Sequence, residues 1–291
     1  MSVFKGIISL TRPFVLLTTT SFYIAAAFLS VNGIPPLVPF LLGFFSVVLA
    51  IASAHTLNDY LDRESDKENP RTAQRAIPTG RVTPRLARIL WIIYGITAIV
   101  LTFFINPLCV ILAFIAFPLP FVYNYMRKRQ IPYSFLCTML AVFFIILLGS
   151  AAASGQYFAT YILLFVVFGL SWEMGRTLIS EVQDVDYDKV SNVTTISSTI
   201  SSKRAAQLIL ALFSLASAMT LIIGFFGQLG LIYIGVASVA SIWLIYRSLE
   251  LVRDPTTPNA IRMLSCAPKY LVIICLILII SILINTFLLF H

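Results

Sequence analysis

The chain has 291 residues, 20 Lys and Arg against 12 Asp and Glu, a formal charge of +8 and a mean hydropathy of +0.95. With 59% hydrophobic and 11% charged residues, it lies far from the roughly 25% charged composition of soluble domains, which excludes a soluble globular protein. The positive charge is not a nucleic-acid footprint, because the basic residues cap hydrophobic segments as topology determinants do.

A transmembrane helix needs about 20 apolar residues. Runs of that length lie at roughly 13–31, 37–57, 88–105, 108–125, 133–153, 158–179, 206–225, 229–247 and 270–290. The sequence therefore predicts an all-α membrane protein of about nine transmembrane helices, forming one domain over residues 1–291. Lys5 and the apolar run ending in Ala25-Ala26-Ala27 imitate a signal peptide, but the run continues and is read as a retained first span. The connections near 31–39, 106–107, 154–160 and 227–230 carry no charge, whereas those at 58–88, 126–132, 180–205 and 248–269 are long or basic. With nine spans, all 20 Lys and Arg fall on the N-terminal side of the membrane or at its edge. The positive-inside rule then puts the N-terminus in the cytoplasm, with the chain in the cell membrane and His291 outside. The 12 Asp and Glu lie on the same side, which that rule does not explain. Cys109, Cys137, Cys266 and Cys275 sit in apolar runs without CxxC spacing and are read as small buried hydrophobes.

The densest charge follows the second span. Asn58, Asp62 and Asp66 fall at i, i+4 and i+8, so on a helix they line one stripe. Three oxygen donors along a stripe suit a hard cation such as Mg²⁺. Arg71 and Arg75 follow almost at once. Carboxylates for a metal beside guanidinium groups are what a diphosphate requires, since Mg²⁺ bridges its oxygens and Arg clamps them. His55 lies one turn before Asn58, where a lone histidine is more often hydrogen-bonded core than a ligand. The pattern lacks the alternate-position ligands and central Gly of a calcium loop.

A second acidic run follows the sixth span: Asp184 and Asp188 are again i, i+4, with Glu181 one turn earlier on the same face. Regular acid spacing in one loop is an ordinary solvated charge run; its recurrence at a second helix mouth favours a shared metal site. Glu173 and Arg176 lie just inside the sixth span, where an isolated charge costs about 2.5–3.5 kcal/mol on insertion scales. They are expected to face a polar cavity as an i, i+3 pair. The aromatic-basic run at 123–129, with Tyr123, Arg127 and Lys128, reads both as a stop-transfer cluster and as a phosphate clamp. A similar run at 243–253 gives a weak internal echo, a pseudo-repeat of 1–132 and 133–291 that would place a site between the halves. Arg12-Pro13 reads as a helix start with a basic anchor.

These residues resemble the UbiA-type family of intramembrane prenyltransferases. Its N-D-x-x-D-x-x-x-D motif is matched by Asn58, Asp59, Asp62 and Asp66, and its D-x-x-x-D motif by Asp184 and Asp188. Motifs after the second and sixth of nine helices also fit, so the resemblance spans the chain. It implies helices around a central cavity open to the cytoplasmic side and to lipid. It also implies that Asn58, Asp62, Asp66, Asp184 and Asp188 hold Mg²⁺ while Arg71, Arg75 and Tyr123 contact the diphosphate. Where the family usually has Tyr-x-x-x-Lys, this chain has Arg127 followed by Lys128, and both are candidates for that place. Asp66, Asp184, Arg75 and Tyr123 are then the expected catalytic groups, with Asp59, Glu181, Arg12 and His55 as further candidates.

The implied reaction ionises an isoprenyl diphosphate to an allylic cation in a water-poor chamber, which an acceptor attacks. The isoprenoid tail, and with it membrane lipid, explains a site built inside the bilayer. The stretch Asn69-Pro70-Arg71-Thr72-Ala73-Gln74-Arg75-Ala76-Ile77-Pro78-Thr79-Gly80 looks like the form common in the hydroxybenzoate branch. An aromatic acceptor on the way to quinones is therefore favoured over the archaeal ether-lipid branch, whose phosphorylated acceptor would want a second basic cluster such as Arg247, Arg253, Arg262 and Lys269. A divalent cation transporter is the competing class. Against it, the motif acids sit at one membrane face among basic residues.

Overall fold

The structure, a computed structural model, describes residues 3–68, 72–131, 133–159, 161–191 and 201–288, and only the backbone of 184–191. The described residues are helical, with no strand. In chain order the helices are α1 (Val3–Thr11), α2 (Pro13–Val31), α3 (Leu37–Leu61), α4 (Ser65–Glu68), α5 (Pro84–Phe103), α6 (Pro107–Ala116), α7 (Leu119–Lys128), α8 (Phe135–Ser154), α9 (Ile162–Ser191), α10 (Ser202–Phe226), α11 (Gly230–Arg253) and α12 (Thr257–Leu288). Among them nine spans are long and apolar enough to cross a membrane, α6 and α7 together making one kinked span over Pro107–Lys128.

Local signals set where these helices start. Thr83 caps α5 by accepting from the Leu86 amide at 3.2 Å, with Pro84 following at the first helical position. Asn106 caps α6 in the same way and also donates to the Ala151 carbonyl at 2.8 Å, tying the uncharged end of that span to α8. Ser201 caps α10. Pro118 precedes α7 and Pro120 stands in its first turn, and the helix breaks between Ala116 and Leu119.

The spans close into a ring. Packing runs α2 on α3, α3 on α5, α5 on α6, α6 on α8, α8 on α9, α9 on α10, α10 on α11 and α11 on α12, which returns to α2 and α9. The core is aromatic where α2 meets α9: the Phe22 ring lies 6.2, 6.1 and 5.6 Å from those of Phe165, Phe168 and Trp172. Trp172 satisfies its buried N–H on the Ala267 carbonyl of α12 at 3.0 Å. Gly149 lets α8 approach α2, since a Cβ there would stand 2.5 Å from the Tyr23 carbonyl oxygen. The outward faces carry Leu231, Val239, Ile242 and other exposed apolar side chains, as lipid-facing surfaces do.

Two expectations about boundaries change. The long basic connection at 248–269 is largely helical: α11 continues to Arg253 and α12 begins at Thr257, with Pro268 inside it. Hydropathy finds only the apolar part of a helix, and Arg or Lys extends a helix readily beyond the bilayer. The same holds for the second acidic run, which lies on the last turns of α9 and not in a loop. One further helix was not foreseen at all. Short α1 precedes the first span and turns into it at Arg12, whose φ of 48° is left-handed.

Candidate active site

The site is assembled at the end of α3. That helix stops at Leu61, with Asp62 as its cap, and a single turn, α4, follows. The amide of Asp62 donates to the Asn58 carbonyl at 2.9 Å and that of Asp66 to the Asp62 carbonyl at 2.8 Å. The i, i+4 linkage therefore crosses the break, although the unbroken helical stripe through Asp66 does not form. The reason is the returning loop. Arg75 grips both oxygens of Asp66, at 3.0 and 2.8 Å, and the Thr72 hydroxyl donates to the Asp66 carbonyl at 3.2 Å.

Asp59 joins this loop to the start of the first span. Only 3% exposed, it accepts from Arg12 at 2.6 Å and stands 3.3 Å from the Arg75 guanidinium. Arg12, Asp59, Arg75 and Asp66 thus form one chain of alternating charge, which is what lets two carboxylates remain buried. The left-handed backbone at Arg12 and the Pro13 that follows hold the first member in place. A small apolar core supports the last: Leu10 of α1 packs with Ala76, Ile77, Val82 and Ala87. Gly6 allows that contact, since a Cβ there would meet the Val82 side chain at 2.8 Å.

Asp62 faces a different partner. Its carboxylate lies 4.0 Å from Arg127 of α7, whose guanidinium is 5.8 Å from the Tyr123 ring centroid. Burial raises the Asp62 pKa above the ordinary carboxylate value; Arg127 opposes this, Asp66 adds to it, and Lys128 and Arg75 oppose it. An ionised Asp62 is therefore short of positive charge, a condition that a bound cation relieves. Lys128 is exposed and Tyr123 half-buried.

The residues also fit a hard cation by a second test. Among the described residues the buried Asn58 side-chain oxygen has no hydrogen-bond partner. A buried acceptor without a partner is costly, and one turn from Asp62 its chemistry suits an oxygen ligand for a hard cation. Among the described residues no three His, Cys, Asp or Glu stand together as a complete metal site. Asp184 and Asp188 fall on the α9 backbone, but their side chains lie outside the described residues, as does all of Arg71.

Higher in the span, Arg176 forms the expected i, i+3 pair with Glu173, its Nε donating at 2.9 Å and a second nitrogen donating to the other carboxylate oxygen. Glu173 is 5% exposed. His55 is half-buried on α3, one turn before Asn58. Glu181 is half-buried one turn before the second motif. The sequence had named Arg176 without counting it among the site residues; its signal was a charge inside a span. The coupling of Arg12 to Asp59, 47 residues apart, had no sequence signal.

Nine apolar spans among the described residues, with a cluster of carboxylates and guanidiniums at the mouth of the second, define a polytopic membrane protein. The UbiA prenyltransferase family matches residues 19–272, and the chain belongs to that family. Its relatives differ in acceptor. The chain is 27% identical over 261 residues to digeranylgeranylglyceryl phosphate synthase of Thermococcus kodakarensis, covering 89% of this chain and 91% of that one. It is 29% identical over 282 residues to protoheme IX farnesyltransferase of Roseiflexus, where 94% of this chain spans only 51% of the relative's length. A shorter stretch of 103 residues is 36% identical to 4-hydroxybenzoate octaprenyltransferase of Actinobacillus pleuropneumoniae, covering 35% of each chain. Among solved structures, one of digeranylgeranylglyceryl phosphate synthase superposes with a TM-score of 0.77 at 22% identity over 97% of this chain and 99% of that one. A UbiA homolog from Archaeoglobus fulgidus bound to GPP and Mg²⁺ gives 0.65 at 15% over 94% and 99%. Both share the fold.

Proposed function

We propose that the protein transfers a prenyl group from an isoprenyl diphosphate to an acceptor within the membrane, in a Mg²⁺-dependent reaction. The observation that carries this reading is the Asn58 oxygen, buried and without a hydrogen-bond partner among the described residues, one turn from Asp62 and beside the chain of Arg12, Asp59, Arg75 and Asp66. Asn58, Asp62 and Asp66 would hold the cation from one side and Asp184 and Asp188 from α9. When bound, Mg²⁺ supplies positive charge to the diphosphate oxygens. Arg75, already held by Asp59 and Asp66, donates to the diphosphate, together with Arg71, Tyr123 and Arg127 or Lys128. These donors stabilise charge that develops on the departing oxygen as the C–O bond breaks. The apolar walls of the spans exclude water from the resulting allylic cation. Asp66, Asp184 or the released diphosphate takes the proton lost by the acceptor.

For the acceptor, an aromatic hydroxy acid or related quinone precursor is supported by the form of the 69–80 stretch and by the 36% identity to a 4-hydroxybenzoate octaprenyltransferase. A glyceryl phosphate acceptor is a second reading, supported by the near full-length match to the Thermococcus enzyme. We place the enzyme in the cell membrane with its N-terminus cytoplasmic.

Purified protein incubated with labelled prenyl diphosphate, Mg²⁺ and a panel of acceptors tests both levels. Product with an aromatic acid supports the first acceptor, and product only with geranylgeranylglyceryl phosphate replaces it with the second. No transfer to any acceptor, with diphosphate release also absent, would remove the enzymatic reading.

A further inference from the structure

Part of the charge on this molecule has no role in the proposed reaction. On the outer flank of the bundle, where the end of α3 packs along the start of α5, a cleft of about 240 Å³ is lined by Tyr60, Arg63, Pro84, Arg85 and Arg88. Tyr60 lies about 200° round the helix from Asn58, so this face of α3 points away from the proposed metal ligands. Three guanidinium groups therefore share one cleft outside the site already described.

Their charges are poorly matched. Arg63 is held in place: it donates to the Tyr60 carbonyl at 2.7 Å, lies 4.8 Å from the Tyr60 ring centroid and approaches Glu64 at 3.5 Å. Glu64 is itself shared with Lys67 at 2.8 Å. Among the described residues neither Arg85 nor Arg88 has a hydrogen bond or an ion pair, and both are exposed. They stand at i, i+3 on one helix face, so they repel each other unless an anion sits between them.

The rest of that face identifies the anion's carrier. Continuing from Arg85 and Arg88 along α5, Ile89, Ile92, Ile96, Val100 and Phe103 are 44, 38, 56, 45 and 60% exposed. This is a lipid-facing apolar stripe headed by paired cations at the end of a span, where the phosphate layer of a bilayer lies. We propose that the cleft binds the phosphate of a negatively charged membrane phospholipid, with an acyl chain lying along Ile89, Ile92, Ile96 and Phe103. Arg85 and Arg88 donate to the phosphate oxygens, and Arg63, fixed by Tyr60, completes the cradle.

Native mass spectrometry of the full chain released from neutral detergent tests this, with phosphatidylglycerol, phosphatidylcholine or inorganic phosphate added in turn. One phosphatidylglycerol should bind in preference to phosphatidylcholine, and inorganic phosphate at the same concentration should not displace it. Arg85→Gln with Arg88→Gln should weaken that binding roughly thirtyfold, at about fivefold for each cation near a lipid phosphate, while Mg²⁺-dependent turnover in detergent stays unchanged. Should the Gln pair fold poorly, Arg85→Lys with Arg88→Lys, which keeps the charge, is read against a single Arg88→Gln variant. Equal retention of phosphatidylglycerol by wild type and the neutral variants would overturn the proposal. Equal binding of phosphatidylcholine, or displacement by inorganic phosphate, would overturn it in favour of an apolar or free-anion site.

Discussion

Asp59 is held by two guanidiniums, Arg12 at 2.6 Å and Arg75 at 3.3 Å. Its place in the N-D-x-x-D motif makes it a further candidate for the site, and in the structure it pairs with Arg12 and Arg75. Removing one partner of a buried ion pair costs about 3–5 kcal/mol; Arg12 and Arg75 are 30% and 26% exposed, so solvent screening should reduce the loss from Asp59→Asn to about 1–3 kcal/mol. A double-mutant cycle with Arg12→Gln, read by thermal unfolding in detergent, should show a coupling of the same sign, and strict additivity would deny the pairing. Asp62 is the opposite case, a half-buried carboxylate whose one ion pair among the described residues is with Arg127 at 4.0 Å. Asp62→Ala should leave the protein folded, because no close ion pair is broken, but abolish Mg²⁺-dependent turnover; near wild-type activity would sink the metal assignment. On α7 it is Arg127, not Lys128, that approaches Asp62 and the Tyr123 ring. Arg127→Ala is therefore expected to raise the KM for prenyl diphosphate about tenfold or more, on the scale of one lost charge-assisted bond. Arg127→Lys should recover most of it, and Lys128→Ala should do little. A defect confined to Lys128→Ala would shift the register by one.

At the scale of elements, α1 and the loop at 72–82 act as one unit that presents Arg75. The loop has no regular helix of its own, and what fixes it is the small core of Leu10, Ala76, Ile77, Val82 and Ala87 together with the Arg75 ion pairs. Gly6 is the point of closest approach. Gly6→Val places methyl groups where the Val82 side chain and Arg81 already stand, so α1 must lift from the loop. The expected result is a several-fold increase in KM for the diphosphate with the melting temperature of the nine-span bundle little changed, because α1 lies outside the ring. An unaltered KM would mean that α1 does not support the site. The kink between α6 and α7 has a similar consequence, since Pro118 and Pro120 end one helix and begin another whose last turn carries Arg127 and Lys128.

For the whole molecule, one-sided charge is the feature that orients everything else. Apart from Glu173 and Arg176, which pair inside the sixth span, the Lys, Arg, Asp and Glu lie on one side of the nine spans or at its edge, and the candidate site, α1 and the Arg85–Arg88 cleft are built on that side. Single cysteines at Asn32, Gln130 and Gly155 in a background lacking the four native ones should divide accordingly. Only Gln130 should react with a membrane-impermeant thiol reagent applied from the cytoplasm. Labelling of Asn32 from that side would reverse the orientation.

Much of this was legible in the residues themselves. Nine spans follow from the length of apolar runs, because a bilayer core admits only segments whose backbone is satisfied internally. The i, i+4 acids and the i, i+3 pair of Glu173 and Arg176 follow from helix geometry, which relates residues close in sequence. Hydropathy did not reveal where charged helix continues beyond the bilayer, so α12 began 13 residues before the expected 270. The sequence could not show that α3 ends before Asp66, that Asp66 turns to Arg75, or that Arg12 reaches Asp59 across 47 residues. Those contacts depend on how the ring of helices brings the start of α2 beside the end of α3. No local periodicity encodes that arrangement; only packing of the spans against one another decides which buried carboxylate meets an arginine and which is left facing the proposed cation.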